Sequence, residues 1–136
     1  MEIGKAIYQM LTEEQSLIAV GTRVFPNVAP QTTVFPFIIY DVTGVTPTDT
    51  KENASTLDIN DLTISVYAET YSQAELLAYE VRASLDYRKY EVYQGVTIQS
   101  IKFVSYNDIF DDTSGDAGIY RKALDFELRQ VRTQIS

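Results

Sequence analysis

The sequence contains neither cysteine nor histidine. Without cysteine it can form no disulfide, thiolate nucleophile or zinc–thiolate site. Without histidine it has no imidazole ligand for a metal and no Ser-His-Asp triad. Catalysis would be left to carboxylates, lysine, tyrosine, serine and threonine. We therefore expect a protein that is not an enzyme and that holds no cofactor.

Long apolar runs and basic segments are also absent. No run approaches the ~18 residues of a membrane span, and the first residues lack the layout of a signal peptide, so we expect synthesis in a cytoplasm and no membrane partner. The 136 residues carry 11 basic and 19 acidic side chains, a net charge of −8. No segment is basic enough to bind nucleic acid through its phosphates. The length predicts a single domain over residues 1–136.

Two helices are predicted near the start of the chain. Apolar residues recur at helical spacing in the first one, as a stripe of Ile3, Ala6, Ile7, Met10 and Leu11. A capping-box pattern at residues 12–15 predicts a second, short helix that contains Leu17 and Ile18 and ends near Gly21. Pro26 and Pro30 then favour extended or turn backbone without a regular strand ladder.

Four strands and one more helix follow. The β-branched and aromatic residues of 34–42 predict a strand buried on both faces. Alternation predicts three further strands at 57–68, 96–106 and 121–131, with a face change or bulge near Asn60 and another phase change between Ile98 and Ile101.

The best-marked element is a helix over residues 72–87. A capping box at residues 72–75 marks its start, and its buried stripe is Ala74, Leu77, Ala78, Val81 and Leu85. Together these elements give the order ααββαββ. This order predicts an α+β fold, with an antiparallel sheet of about four strands and helices packed on one face.

Two irregular stretches separate the predicted strands. Residues 44–56 are a polar, threonine-rich run that is far longer than the ~2–5 residues of a hairpin loop. They form either a partner-binding loop or a flexible tip, and the candidate binding residues are Val45, Thr46, Pro47, Thr48, Asp49, Thr50, Lys51, Glu52 and Asn53. Residues 107–118 contain several aspartates, but their spacing does not match an EF-hand loop, so we expect a solvated acidic hairpin tip and no metal.

Tyrosine is over-represented, with ten residues and no tryptophan. Five of them lie on or just after the capped helix: Tyr71, Tyr79, Tyr87, Tyr90 and Tyr93. Tyr79 falls outside the buried stripe. Tyrosine is enriched at protein–protein interfaces, so these residues are either interface residues or the partly buried rim of the core. Stacking of single-stranded bases would need a cationic groove, which the charge balance does not offer.

One proline-flanked stretch is distinctive. Its residues fit the pattern G-x-R-[VI]-[FY]-P…A-P-Q…P-[YF]-x-x-Y and are Gly21, Arg23, Val24, Phe25, Pro26, Ala29, Pro30, Gln31, Pro36, Phe37 and Tyr40. In this pattern and in its order of elements, the sequence resembles the tail-completion (tail terminator, or tail-to-head joining) proteins of long non-contractile-tailed bacteriophages and gene-transfer particles.

The resemblance implies a non-enzymatic virion assembly protein. Members of that family form a hexameric ring that caps the head-proximal end of the tail tube, stops its polymerisation and offers a docking surface to the head. The expected partners are further copies of the chain, the tail tube protein and the head-completion or connector protein. DNA is expected to pass through the lumen without specific binding, aided by like charge on the wall.

A ring needs heterologous contacts between subunits. We expect strands near residues 57–67 or 121–131 to supply them by edge pairing. The candidate subunit-interface residues are Tyr67, Tyr71, Tyr79, Arg121, Glu127 and Arg129. Two other functions stay open: a head-side connector or minor tail component of the same particle, and a module that binds a small ligand or glycan through its tyrosines.

Overall fold

The computed structural model describes residues 3–13, 23–28, 33–49, 54–86, 91–93, 96–111 and 119–131. They form, in chain order, α1 (Ile3–Glu13), β1 (Val24–Pro26), β2 (Phe37–Asp49), β3 (Ala54–Ala68), α2 (Tyr71–Leu85), β4 (Glu91–Tyr93), β5 (Val96–Asp111) and β6 (Ile119–Val131). The strands make one sheet in the order β1-β2-β3-β6-β5-β4. The α+β class is confirmed, but the described sheet has six strands instead of about four.

The two additional strands are short and lie at the edges of the sheet. β1 pairs in parallel with β2, from Val24–Ile38 to Pro26–Tyr40, although the prolines predicted no ladder here. An edge strand tolerates proline, because the outer side of the strand needs no N–H donor. β4 pairs antiparallel with the start of β5. All the remaining pairs are antiparallel as predicted.

α1 is a single helix that buries the predicted stripe. It contacts α2 and the strands β1, β2 and β4, which include both edge strands. Thr12 and Glu13 belong to α1, and the Thr12 hydroxyl donates a hydrogen bond to the Tyr8 carbonyl at 2.8 Å. Thr12 therefore does not cap a new helix. The rest of the predicted second helix lies outside the described residues.

The N-cap of α2 lies two residues earlier than predicted. This residue is Thr70, whose hydroxyl accepts a hydrogen bond from the Gln73 N–H at 3.2 Å. The N-cap is thus Thr70 and not Ser72. The sequence could not distinguish them, because each is a hydroxyl residue three positions before Gln or Glu. The predicted stripe from Ala74 to Leu85 is buried, as expected.

Most of the predicted loop at residues 44–56 is strand. β2 continues to Asp49 and β3 begins at Ala54, so the segment forms an extended hairpin, called here the β2–β3 arm (residues 44–57). A bulge at Thr43 separates the pairs Val42–Leu62 and Gly44–Asp61. The threonines that made the segment look like a loop are β-branched and suit a strand. Residues 50–53 lie outside the described residues.

β3 keeps one phase along its length. Asp58 and Asn60 are buried on the same side as Leu62 and Ile64, so the predicted face change near Asn60 is wrong, and the bulge lies on the neighbouring strand β2. The predicted phase change in β5 is confirmed as a bulge at Gln99, and a second bulge follows at Val104.

The acidic stretch at residues 107–118 is only partly irregular. β5 extends to Asp111 and β6 begins at Ile119, so residues 107–111 are strand, contrary to the prediction of a hairpin tip. Residues 112–118 lie outside the described residues. Among the described residues, no three acidic side chains gather in a group that could hold a metal ion.

Both helices pack on one face of the sheet, as predicted. The core joins their stripes to the inward residues of the strands, which include Ile38, Tyr40, Leu62, Ile64, Val66, Ile98, Ile101, Leu124, Phe126 and Leu128. We call this side the helix face and the other side the open face. No described helix covers the open face.

The two long hairpins leave the sheet at opposite ends. Ala68 at the end of β3 pairs with Tyr120 near the start of β6, and Leu57 pairs with Val131. The β5–β6 hairpin therefore lies at one end of the sheet, called here the upper end. The β2–β3 arm lies at the other, the lower end.

Candidate interface surfaces

The two outer sides of the sheet carry long stretches without a partner strand. β1 covers only residues 38–40 of β2, and β4 covers only residues 96–98 of β5. Within the described part of the chain, residues 41–49 of β2 and residues 100–111 of β5 therefore pair on one side only. Unpaired strand edges can pair with another chain.

These edges correct the expected route of subunit pairing. β3 lies between β2 and β6, and β6 lies between β3 and β5. Both edges of each strand are already hydrogen-bonded, so strands at residues 57–67 and 121–131 cannot pair with another chain through their edges. A central strand and an edge strand can have the same alternating sequence, so the sequence could not distinguish them.

A groove with both apolar and charged walls runs between α2 and the edge of β5, lined by Glu75, Ala78, Tyr79, Arg82, Phe103, Tyr106, Lys122 and Leu124. Val104, Tyr106 and Tyr79 are exposed by 59%, 56% and 67%, and the Arg82 guanidinium lies 4.0 Å from the centroid of the Phe103 ring. Large apolar side chains left exposed together mark an interaction surface. Sequence reasoning selected only Tyr79 from this set, because the bulge that exposes Val104 has no local sequence signal.

One side-chain contact shortens the part of the β5 edge that lacks a hydrogen-bond partner. The backbone N–H of Phe103 donates a hydrogen bond to Asp86 Oδ1 at 2.9 Å. Asp86 directly follows α2, and its other carboxylate oxygen lies 3.7 Å from Nε of Arg82. The carboxylate thus takes the place of a partner strand at Phe103. The unpartnered part of this edge begins at Val104.

An ion pair between the buried Lys122 and the half-exposed Asp108 lies at the upper end of the groove. Lys122 is 4% exposed, and its Nζ donates a hydrogen bond to Asp108 Oδ1 at 2.5 Å and lies 4.7 Å from the centroid of the Tyr71 ring. Burial acts to lower the pKa of Lys122, but the hydrogen bond and negative charge of Asp108, with smaller effects of Tyr71 and Glu75, raise it above its ordinary value. Lys122 is therefore a charged, paired side chain at neutral pH.

Tyr71 joins this pair to the first turn of α2. Its hydroxyl donates a hydrogen bond to Glu75 Oε1 at 3.2 Å, and its ring meets the Tyr120 ring edge-on at 5.9 Å. The hydrogen bond to Glu75 raises the pKa of Tyr71. These contacts explain where Tyr71 points and give it a structural role at the top of the groove.

The open face carries a separate aromatic cluster. The Phe37 ring stacks on the Tyr67 ring at 4.8 Å and lies 5.2 Å from the Phe35 ring. The Arg121 guanidinium lies 5.7 Å from the centroid of Tyr67, and its Nη2 donates a hydrogen bond to Ser65 Oγ at 3.2 Å. Part of the distinctive proline-flanked segment thus covers the upper end of the open face.

The candidate interface residues fall on two faces. Tyr67 and Arg121 come together in the aromatic cluster, and Glu127 and Arg129 follow Arg121 on the same face of β6. Tyr71 and Tyr79 lie on α2, above the helix face. The six residues therefore do not form one patch. Of the candidate partner-binding residues, Val45 to Asp49 lie in β2, and Thr50 to Asn53 lie outside the described residues.

The grooves do not resemble enclosed ligand sites. The groove beside α2 holds about 210 Å³, below the ~300–1,000 Å³ of typical ligand pockets. A second groove, between α1 and Tyr40, holds about 330 Å³ but is open and is lined by the polar side chains Lys5, Gln9 and Glu13. None of the described helices is long and apolar enough to cross a membrane.

Comparison with known proteins identifies the family. A solved chain from the virion of a native gene transfer agent particle superposes with a TM-score of 0.70, at 21% identity over 92% of this chain and 91% of its own. A second solved protein has a TM-score of 0.57, at 14% identity over 98% of this chain and 96% of its own. At these identities, the two solved structures show a shared fold. A search of the curated proteins found no match. Residues 5–130 match the family model described as tail completion protein gp17. The resemblance seen in the sequence is thereby confirmed, and the chain belongs to the tail completion protein gp17 family of bacteriophage tail structural proteins.

Proposed function

We propose that this protein is a tail terminator that acts by assembly and without catalysis. Copies of the chain form a ring, expected to be a hexamer, that caps the head-proximal end of the tail tube. The ring stops addition of tube subunits and offers its other side to the head-completion or connector protein. Membership of the tail completion family supports a role in building the tail.

The observation that carries the ring proposal is the pair of unequal free edges. The free edge of β2 and the free edge of β5 lie on opposite sides of one sheet and differ in sequence and surroundings. Each subunit can thus bind one neighbour on each side through different contacts. Heterologous contacts of this kind produce a closed ring when the rotation between neighbours closes.

The two hairpins suit contacts with different partners. The β2–β3 arm lies at the lower end of the sheet and the β5–β6 hairpin at the upper end, so a ring with its axis along the strands would present one hairpin to each side. We assign the β2–β3 arm to the tube or the connector, in keeping with its polar, threonine-rich residues. The net charge of −8 would limit adhesion of the DNA duplex to the lumen.

The proposal is tested with the purified full chain, alone and mixed with tail-tube subunits. Light scattering gives the mass in solution, and negative-stain images show whether rings form and bind tube ends. We expect rings of one stoichiometry that sit on one end of each tube and stop its elongation. Tubes of unchanged length with no ring attached would contradict the terminator role.

Two further mixtures, of the chain with purified connectors and of the chain with glycans, separate the alternatives. Rings that bind purified connectors but never tubes would indicate a head-side component. A protein that stays monomeric at high concentration and binds glycans saturably would indicate a ligand-binding module. The small, open grooves described above do not favour that last function.

A further inference from the structure

We propose that neighbouring subunits of the ring join into one continuous sheet, with β1 of one copy pairing against the free edge of β5 in the next. In the same contact, β4 lies alongside the free edge of β2. This inference rests on the ring proposed above and names the surface and the partner, which is a second copy of this chain. Four observations support it: the outline of the edges, the strand directions, the register and the exposed apolar residues.

The two edges of the sheet have complementary outlines. On one side β1 adds a strand only at the upper end, beside residues 38–40 of β2. On the other side β4 adds a strand only at the lower end, beside residues 96–98 of β5. Each edge is therefore stepped. The projecting β1 faces the recess above β4 in the next copy, and the projecting β4 faces the recess below β1.

The strand directions fit this contact. β1 runs parallel to β2, and three successive antiparallel pairs lead from β2 through β3 and β6 to β5. β1 and β5 therefore run in opposite directions. In a cyclic ring all copies have the same orientation along the axis, so β1 of one copy meets β5 of the next as an antiparallel pair. β4 likewise meets β2 as a parallel pair.

The register places β1 level with the free part of β5. Pro26 pairs with Tyr40, and successive cross-strand pairs lead from Tyr40 through Ile64 and Leu124 to Tyr106. Residues joined in this way lie in one row across the sheet. In the same way Phe25 lies in one row with Asn107, and Val24 in one row with Asp108, as follows from the same four strand pairings. These rows lie just above Phe103, whose N–H is already bonded to Asp86.

Both edges expose apolar residues that the contact would cover. Tyr106 and Tyr79 line the groove beside β5, Val104 is exposed on the same strand edge, and Val28, which is 74% exposed, lies two residues after β1 on the opposite edge. Pro26 is also exposed. Of the outward-facing residues of β1, Val24 can supply backbone hydrogen bonds to β5, because Pro26 has no N–H and its carbonyl already accepts a hydrogen bond from the Val28 N–H at 2.6 Å. The side chains that flank the added strand supply the rest of the affinity and the specificity.

Disulfide crosslinking tests the contact, because the natural chain has no cysteine. Pro26→Cys and Tyr106→Cys are made singly and in one chain, both at exposed positions of the same row. The matched control pairs Pro26→Cys with Lys102→Cys, an exposed residue of the same strand that lies in a different row. Each protein is oxidised with copper–phenanthroline and run on a non-reducing gel, and native mass spectrometry counts the subunits before oxidation.

We expect the Pro26→Cys/Tyr106→Cys chain to give a ladder of covalent oligomers that ends at the ring number. An equimolar mixture of the two single variants, carrying tags of different mass, is expected to give only mixed dimers, and the Lys102 control at least tenfold less product. Intact rings without this crosslink, or a disulfide within one chain, would overturn the inference while the ring itself stands. Absence of rings before oxidation would instead contradict the proposed function, and the inference would fail with it.

Discussion

Lys122 shows how a single buried charge can be kept in the wall of the groove. It occupies an inward position of β6 between aromatic rings, where an unpaired ammonium group is costly to bury. Asp108 from the neighbouring strand supplies the opposite charge, since the two residues are directly paired across β5 and β6. The inward phase of β6 was readable from the sequence, but the partner of Lys122 was not, because it depends on the register after the bulge at Val104.

We predict that Asp108→Ala destabilises the fold by about 1–3 kcal/mol, because it leaves the Lys122 ammonium buried without its hydrogen-bond acceptor. Urea unfolding followed by circular dichroism measures the change in free energy. Asp61→Ala, which removes an exposed carboxylate from β3, is the matched control and is expected to cost under about 0.5 kcal/mol. Equal losses in the two variants would show that the ion pair contributes nothing specific.

A second prediction concerns stability at high pH. The pKa of Tyr40 is raised by burial and by Tyr8, and the pKa values of Tyr71 and Lys122 are raised as described above. A group with a higher pKa in the folded chain stabilises it below the ordinary pKa, here 10.0 for tyrosine and 10.5 for lysine, and this contribution is lost as pH rises through the folded-state pKa.

The melting temperature is therefore expected to fall above about pH 10. Tyr40→Phe removes one of the three groups and should make that fall shallower. Melting curves between pH 6 and 8, where none of the three groups titrates, serve as the control interval. A melting temperature that does not change from pH 8 to 11 would contradict this linkage.

At the scale of elements, helices and central strands were predictable and edges were not. The stripes of α1 and α2 follow from apolar spacing alone, whereas β1 and β4 have three residues each and exist only because a neighbouring strand supplies hydrogen bonds. The β2–β3 arm was missed for a related reason. Its polar residues match a loop in composition, but pairing between β2 and β3 satisfies the backbone groups on the inner side of its described residues, and composition carries no information on pairing.

The arm gives a prediction at this scale. Replacing residues 49–56 by Asn-Gly, a pair that suits a two-residue hairpin turn, keeps the register of the Pro47–Asp58 pair and shortens the arm without removing any residue of the core. We expect a change in unfolding free energy of under about 1 kcal/mol and loss of tail capping, measured as tube length in negative-stain images. Replacing only Lys51-Glu52 by Asn-Gly keeps the length and should leave capping intact. Tubes of normal length with the shortened arm would show that the arm contacts neither partner in a way that matters.

At the scale of the whole molecule, the sheet is nearly symmetric in outline but not in chemistry. Among the residues that the structure describes, each edge has one short outer strand and one free stretch, and the two are offset in opposite directions. A chain with one long flat edge would pair with any exposed strand, which is the usual route to aggregation. In the proposed ring, a stepped edge would accept only a neighbour with the matching step, which would restrict pairing to other copies in one orientation.

Tyr106→Glu tests whether that edge controls assembly. It places a carboxylate beside the edge of β5, where a neighbouring strand would remove its water. Lys122, 5.8 Å from the Tyr106 ring, is already bonded to Asp108, so the subunit contact should weaken at least tenfold, equivalent to about 1.4 kcal/mol. Tyr106 is exposed in the single chain, so the fold should survive, which circular dichroism checks. Leu76→Glu makes a similar change at another exposed site, on α2 and outside the groove, and should leave the mass in solution unchanged.

If light scattering shows that the Tyr106 variant is a monomer while the Leu76 variant forms rings, the β5 edge carries the contact. If both variants form rings equally well, the ring is built through other surfaces, and the aromatic cluster around Tyr67 and Arg121 on the open face becomes the next surface to substitute.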